Sequence, residues 1–330
     1  MKKVLSLICL VALLLLCASA IAEEKKDPLI DYDNAWMKNL AGKRIAVANI
    51  YLGDEWCKLL ADTFAKYGEI YGFEVNNQDG NLDHDTQCRQ IENFIIQQYD
   101  MILVDPANGE GIGDVLEPAR EKGIPVIAYD ATAQWDGLVT QTMGDNYGNG
   151  VKLGEMARDY INEHLDGKAK VVLLNLYQPH TMERADGIHS VLDEMPGVEF
   201  LTEQDSQGNR EIAANIIAGI KEDYDIVISV VPNGWLGAIA QLETMGKDPE
   251  KIRVYGPVSS EEAYEILRDA AKGKPCFFEG GYSSDARILA TMTMESAGKY
   301  FASEPMDAVQ KVVSIKVDKS NINDYYPAAE

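Results

Sequence analysis

Short apolar, β-rich runs alternate with amphipathic helical stretches along almost all of this 330-residue chain. No other feature constrains the fold as much. Strands separated by helices cannot pair as hairpins; right-handed crossovers make them parallel and set helices on both faces of the sheet. Arg44 to Asn49 reads as a buried strand, and Trp56, Leu59, Leu60, Phe64 and Tyr67 follow at helical spacing. Phe73 to Asn77, Met101 to Asp105 and Pro125 to Tyr129 predict further strands, with a weaker one at Thr140 to Met143. Between them, Cys88, Ile91 and Ile95 mark one helix face, and Gly111 to Lys122 reads as a helix closed by Gly123 and Pro125.

The rhythm resumes after Asp145. Helices are expected at Tyr147 to Leu165, Met182 to Asp193, Arg210 to Ile220 and Leu236 to Met245. Strands are expected at Lys170 to Leu176, Val198 to Glu203, Ile226 to Val231 and Arg253 to Gly256. Ser259 and Glu262 form a capping-box pattern opening a helix to Ala271. A strand at Cys276 to Glu279, a helix from Ser283 to Tyr300 and one strand at Val312 to Val317 complete the pattern. A single core stops growing at this length, so two α/β lobes are expected.

Lys2 and Lys3, an apolar run from Val4 to Leu16 and small residues ending Ala20-Ile21-Ala22 read as a cleaved export signal over residues 1 to 22. Its apolar core falls short of the roughly 20 residues of a membrane span, so a soluble, periplasmic or otherwise extracytoplasmic mature protein is expected. Leu14, Leu15 and Leu16 ahead of Cys17 make lipid anchoring the lesser reading. The formal net charge of −23 is spread without a long acidic run. Nucleic acid is not an expected partner, because phosphate binding needs clustered Lys and Arg. Beyond residue 22 stand Cys57, Cys88 and Cys276, enough for one pair but not for a disulfide framework.

Motifs for catalysis or cofactor binding fail on inspection. Gly109 to Asp114 resembles a dinucleotide fingerprint, but Asp114 stands where the third glycine belongs, and a loop is the better reading. GxxxxGK[ST], HExxH and GxSxG do not occur, and His84, His164, His180 and His189 lack ligand spacing. No cofactor and no metal are expected.

Ligands of open parallel sheets sit at the carboxyl ends of the strands. Three such ends in the first half carry acids, Asp54, Asp105 and Asp130, with Tyr51, Trp56, Tyr129 and Trp135 nearby. Carboxylates accept hydrogen bonds from neighbouring hydroxyls and rings cover the apolar face of a sugar, a combination suited to a polyhydroxylated ligand. Each aspartate taken singly also fits a helix cap.

Ile45-Ala46-Val47, Asp54-Glu55-Trp56-Cys57, Met101 to Pro106, Gly123 to Asp130 and Gly144-Asp145-Asn146 occur in an order that resembles periplasmic solute-binding proteins of the ribose- and galactose-binding type. Arg184 with Gly187 resembles that family's arginine-glycine pattern. The resemblance covers residues 43 to about 318. It implies two similar doubly wound parallel-sheet lobes joined by a three-crossing hinge. The first lobe would be 43–145 plus 282–311, and the second 146–281 plus 312–320.

By position, the resemblance implies that Asp54, Asp105 and Asp130 accept from ligand hydroxyls, that Trp56 stacks on the ring and that Arg184 donates from the second lobe. Asn233 and Glu279 are further candidate ligand-binding residues. Without the resemblance, Trp56 reads as a helix-face core residue and Arg184 as a surface ion pair. Ala131, Gly256-Pro257-Val258 and Gly281 depart from the family pattern, removing groups that grip a pentose or hexose. A non-standard sugar, a polyol or an amine-bearing ligand is therefore expected. The implied function is capture of a sugar or polyol by hinge closure and delivery to an ABC permease in the membrane, by a monomer that is not an enzyme. The alternatives are a sensor for a chemoreceptor or histidine kinase and an exported hydrolase using Asp54, Asp105 or Asp130.

Overall fold

The computed structural model describes residues 26–53 and 55–328; the expected export signal and Asp54 lie outside the described residues. In chain order the elements are β1 Arg44–Asn49, α1 Glu55–Tyr71, β2 Glu74–Asp79, α2 His84–Ile96, β3 Met101–Val104, α3 Gly113–Glu121, β4 Val126–Tyr129 and β5 Thr140–Gly144. Then follow α4 Asn146–His164, β6 Ala169–Asn175, α5 Pro179–Leu192, β7 Val198–Asp205, α6 Arg210–Gly219, β8 Ile226–Ser229, α7 Pro232–Thr244, β9 Arg253–Tyr255 and α8 Glu261–Ala271. The chain closes with β10 Phe278–Ser283, α9 Ala286–Phe301, β11 Val309–Val312, β12 Ile315–Asp318 and α10 Ile322–Tyr325. No described helix is long and apolar enough to cross a membrane.

Two six-stranded sheets result, ordered β2-β1-β3-β4-β5-β11 and β7-β6-β8-β9-β10-β12. All pairings are parallel except β10 with β12. Successive residues of a strand face opposite ways, and both faces are covered. Ile45 and Val47 of β1 join Phe64, Tyr67 and Met294 on one side, while Ala46 and Ala48 join Ile91, Phe94 and Leu116 on the other. In the second sheet, Val172 and Leu174 face Trp235 and Leu242, whereas Val171 and Leu173 face Leu153 and Ile188. The expected pair of doubly wound lobes is the architecture of the protein.

The chain passes between the sheets three times: from β5 into α4, from β10 into α9, and from β11 into β12. The last passage corrects the expectation of one strand from Val312 to Val317. Apolar alternation runs through this stretch without a glycine or proline, yet β11 pairs with β5 and β12 with β10. Val313, between them, is exposed. Two other boundaries move. Ser260, not Ser259, caps α8, accepting from the Ala263 N–H, and Glu262 turns to Arg210 instead of closing a capping box. β10 starts later than expected and runs through Gly280, whose φ of +120° accompanies a register shift against β9.

Close approach of α4 to α5 places the helix that carries Arg184. A Cβ on Gly150 would lie 1.9 Å from the Arg184 carbonyl oxygen, and one on Gly187 would lie 2.2 Å from that of Tyr147. Because both obstacles are backbone, Gly187→Ala is expected to destabilise the protein by about 2 kcal/mol. Equilibrium unfolding in denaturant checks this, and an unchanged midpoint would contradict it.

Candidate functional site

A cleft lies where the carboxyl ends of the two sheets face each other, at the hinge. Its cavity of about 710 Å³ is lined from the first lobe by Trp56, Asp130 and Leu289, from the second by Asn149, His180, Glu183 and Arg184, and from the crossings by Asn146, Asp285 and Ser314. Such a volume suits a small ligand.

On the first-lobe side, buried amides hold the strand ends together. Gln87 on α2 is fully buried; its Nε2 donates to the carbonyls of Ala48 and Asp105, and its Oε1 accepts from the Ala107 N–H. Asn49 accepts from the Tyr129 hydroxyl at 2.9 Å and donates to the Gln78 carbonyl. These bonds tie β1, β2, β3 and β4 at the rim where strand order reverses, the usual ligand position in open α/β sheets.

Asp105 follows β3 and is 3% exposed. Its carboxylate accepts from the Ala131 N–H at 3.3 Å and from the Ile50 N–H. Burial, and then the charge of Asp130, hold its carboxyl well above the ordinary carboxylate range, against the pull of those two N–H donors. Asp130 is exposed and lines the cavity with φ +58°, a left-handed conformation uncommon outside glycine that concentrates at functional turns.

Trp56, half-buried in the first turn of α1, lines the cavity while packing on the first-lobe core, and its Nε1 donates to the Ser284 carbonyl at 3.0 Å. One residue thus combines the core role and the cleft position considered separately in the sequence. The other rings turn elsewhere. Tyr129 is buried, edge-on to Phe64, and Trp135 donates to Glu117 and lies under Arg120. Neither lines the cavity.

From the second lobe, Arg184 on α5 is held by Asn146 Oδ1 and the Val230 carbonyl, each at 3.0 Å from a guanidinium nitrogen. It thereby links the first crossing to the end of β8 rather than forming a surface ion pair. Glu183 and His180 stand beside it at the cavity wall. Burial and the Arg184 cation lower the His180 pKa, so its ring is neutral at neutral pH. Asn233 and Glu279 are not brought to this cavity. Asn233, at the start of α7, bonds Arg210 and the Gly208 carbonyl; Glu279 pairs with Arg253 at 3.0 Å and Lys319 at 3.4 Å.

Sequence reasoning missed Asn149, Glu183, Asp285 and Ser314, polar residues on helices or crossings with no local pattern to mark them, and it quoted Asn146 within a motif without assigning it to the site. The glycine at one departure has a steric cause. A Cβ on Gly281 would lie 1.8 Å from the Gly256 carbonyl oxygen. No side chain fits at Gly281 while that carbonyl keeps its place.

A carboxyl whose folded-state pKa is raised binds a proton that the unfolded chain has already lost, so stability falls as pH rises from about 4 toward the folded value. Asp105→Asn should therefore raise the melting temperature of the ligand-free protein at pH 7 but not at pH 3. Equal shifts at both pH values would contradict the raised pKa.

Comparison with known proteins agrees with this fold. The profile of the periplasmic binding protein domain family matches residues 45–302. A ribose import binding protein of Bacillus subtilis is 25% identical over 276 residues, covering 82% of this chain and 85% of its own. A xylitol-binding protein of Mycolicibacterium smegmatis is 28% identical over 192 residues, covering 56% and 53%. Among solved structures, a Bacillus halodurans ABC transporter solute-binding protein with bound myo-inositol superposes with a TM-score of 0.65 at 20% identity, covering 87% of this chain and 98% of that one.

Proposed function

This chain belongs to the periplasmic binding protein domain family, and from that premise we propose that it captures a small sugar or polyol outside the cytoplasm and delivers it to an ABC permease. The observation that carries the reading is a cleft at a three-crossing hinge with hydrogen-bonding side chains on both walls, Asp130 on one and Arg184 on the other. The names of the relatives that bind ribose, xylitol and myo-inositol support the ligand class.

Capture follows from differential contact. A ligand lying on the first lobe gains the bonds of the second only when the cleft shuts, so those bonds favour the closed arrangement. Asp130 offers acceptors to adjacent hydroxyls, and Trp56 offers a ring to the apolar face. Arg184, already fixed by Asn146 and Val230, loses little freedom when it donates to the ligand. Hydrogen bonding and stacking explain binding without a catalytic acid–base pair, so the protein is read as a monomeric carrier and not as a hydrolase. Asp54 remains a candidate acceptor by its place in the sequence; Asn233 and Glu279 would reach a ligand only after leaving their present partners.

A thermal-shift screen of sugars, polyols and amino sugars that includes D-ribose, xylitol and myo-inositol tests the reading, since a ligand that binds the native state raises the melting temperature. At least one compound should do so and be recovered intact. Arg184→Ala should weaken its binding about tenfold or more by calorimetry, the scale of one lost charge-assisted hydrogen bond. Failure of every compound to stabilise the protein, or recovery of a cleaved product, would overturn the proposal.

A further inference from the structure

Residues 26–40, ahead of the first strand, touch both lobes. Ile30, Met37 and Leu40 are buried in the first-lobe core, whereas Leu29 packs against the second-lobe core. Tyr67 and Tyr71 of α1 fix the segment: the Tyr67 hydroxyl accepts from the Asp31 N–H, and the Tyr71 hydroxyl accepts from the Asn34 N–H and donates to the Asp31 carbonyl. The Asn34 side chain donates to Glu295 on α9. Adjacent residues 29 and 30 thus enter different cores, and the segment spans the hinge.

A chain of charges leads from this segment to the cleft. Asp27 accepts from Arg287 Nη1 at 2.7 Å. The same guanidinium donates through Nε and Nη2 to the two oxygens of Asp285, at 2.8 and 2.7 Å. Asp285 is 6% exposed, follows the second crossing and lines the cavity. A two-point grip fixes the plane of a carboxylate. Oδ1 also accepts from the Arg287 backbone N–H, whereas Oδ2 accepts once and each oxygen can accept more than one hydrogen bond, so Asp285 Oδ2 keeps acceptor capacity for a ligand hydroxyl while its direction is set from behind. Arg287 is itself mostly buried, and Asp27 occupies the nitrogen that Asp285 does not.

We propose that Asp285 contacts the ligand and that Asp27, acting through Arg287, is its positioning residue, so that the segment ahead of the first lobe helps to set affinity. The inference rests on the reading of the cleft as a sugar or polyol site. Losing the Asp27 charge frees Arg287 Nη1 to seek another acceptor and loosens its hold on Asp285; glutamate at the same place restores the charge.

The test is calorimetric titration with whichever of D-ribose, xylitol and myo-inositol binds the wild-type chain most tightly. Asp27→Asn should weaken binding about fivefold, the scale of one partly exposed ion pair. Asp27→Glu should recover most of that loss, and Asp285→Asn should weaken binding more than Asp27→Asn. Lys38→Ala, which breaks only an exposed pair with Asp33 on the same segment, should leave affinity unchanged. Wild-type affinity in both Asp27→Asn and Asp285→Asn would overturn the inference while leaving the proposed function standing, and so would a loss that Asp27→Glu fails to recover. Absence of binding by the wild-type chain to all three compounds would remove the reading of the cleft and this inference with it.

Discussion

The carboxyl ends of two parallel sheets face one another because one chain crosses between them three times, and the site depends on that constraint. Parallel strands deliver every following loop to the same edge of their sheet. The crossings then turn those two edges toward a common cavity. Trp56 and Asp130 reach it from the first lobe, Arg184 from the second, and Asn146, Asp285 and Ser314 from the crossings themselves. Each wall is rigid for its own reasons, Gln87 and Asn49 stitching one and the glycine-mediated contact of α4 with α5 supporting the other.

Stability and function pull apart at this edge. Asp105 sits in a place that disfavours its charge, beside a second acid, and Asp130 adopts a left-handed backbone conformation that is uncommon outside glycine. Burying the Asp105 carboxyl costs stability that an apolar side chain there would not. Arg184 shows the opposite arrangement. Its bonds to Asn146 and Val230 satisfy part of a costly cation before any ligand arrives, so less ordering remains for the moment of binding. One wall is thus strained and the other preorganised.

The fold was legible because strand and helix periods differ and because each strand ends in a recognisable loop. Asp105, Asp130, Trp56 and Arg184 were visible as residue types at strand ends or in a family-like order, and all but the buried Asp105 line the cavity. What stayed hidden depends on pairing partners, which periodicity does not encode. Nothing between Val312 and Val317 announces that the strand changes sheets. Tyr129 and Trp135 stand near the right loops, but packing with Phe64 and bonding to Glu117 turn them away. Gly281 looks like a lost ligand contact until the approach of the Gly256 carbonyl is known. Asp285 caps α9, accepting from the Arg287 N–H, and only the cavity reveals its second face.

Closure of the two lobes around a ligand is the central claim, and the distance between them measures it most directly. Spin labels placed on the exposed residues Ile96 of the first lobe and Met245 of the second would report the interlobe distance by pulsed electron resonance. With the ligand found by the screen, the distribution should narrow and move to a new position relative to the ligand-free protein, and Arg184→Ala should reduce the fraction that moves. A saturating ligand that leaves the interlobe distribution unchanged would contradict the account.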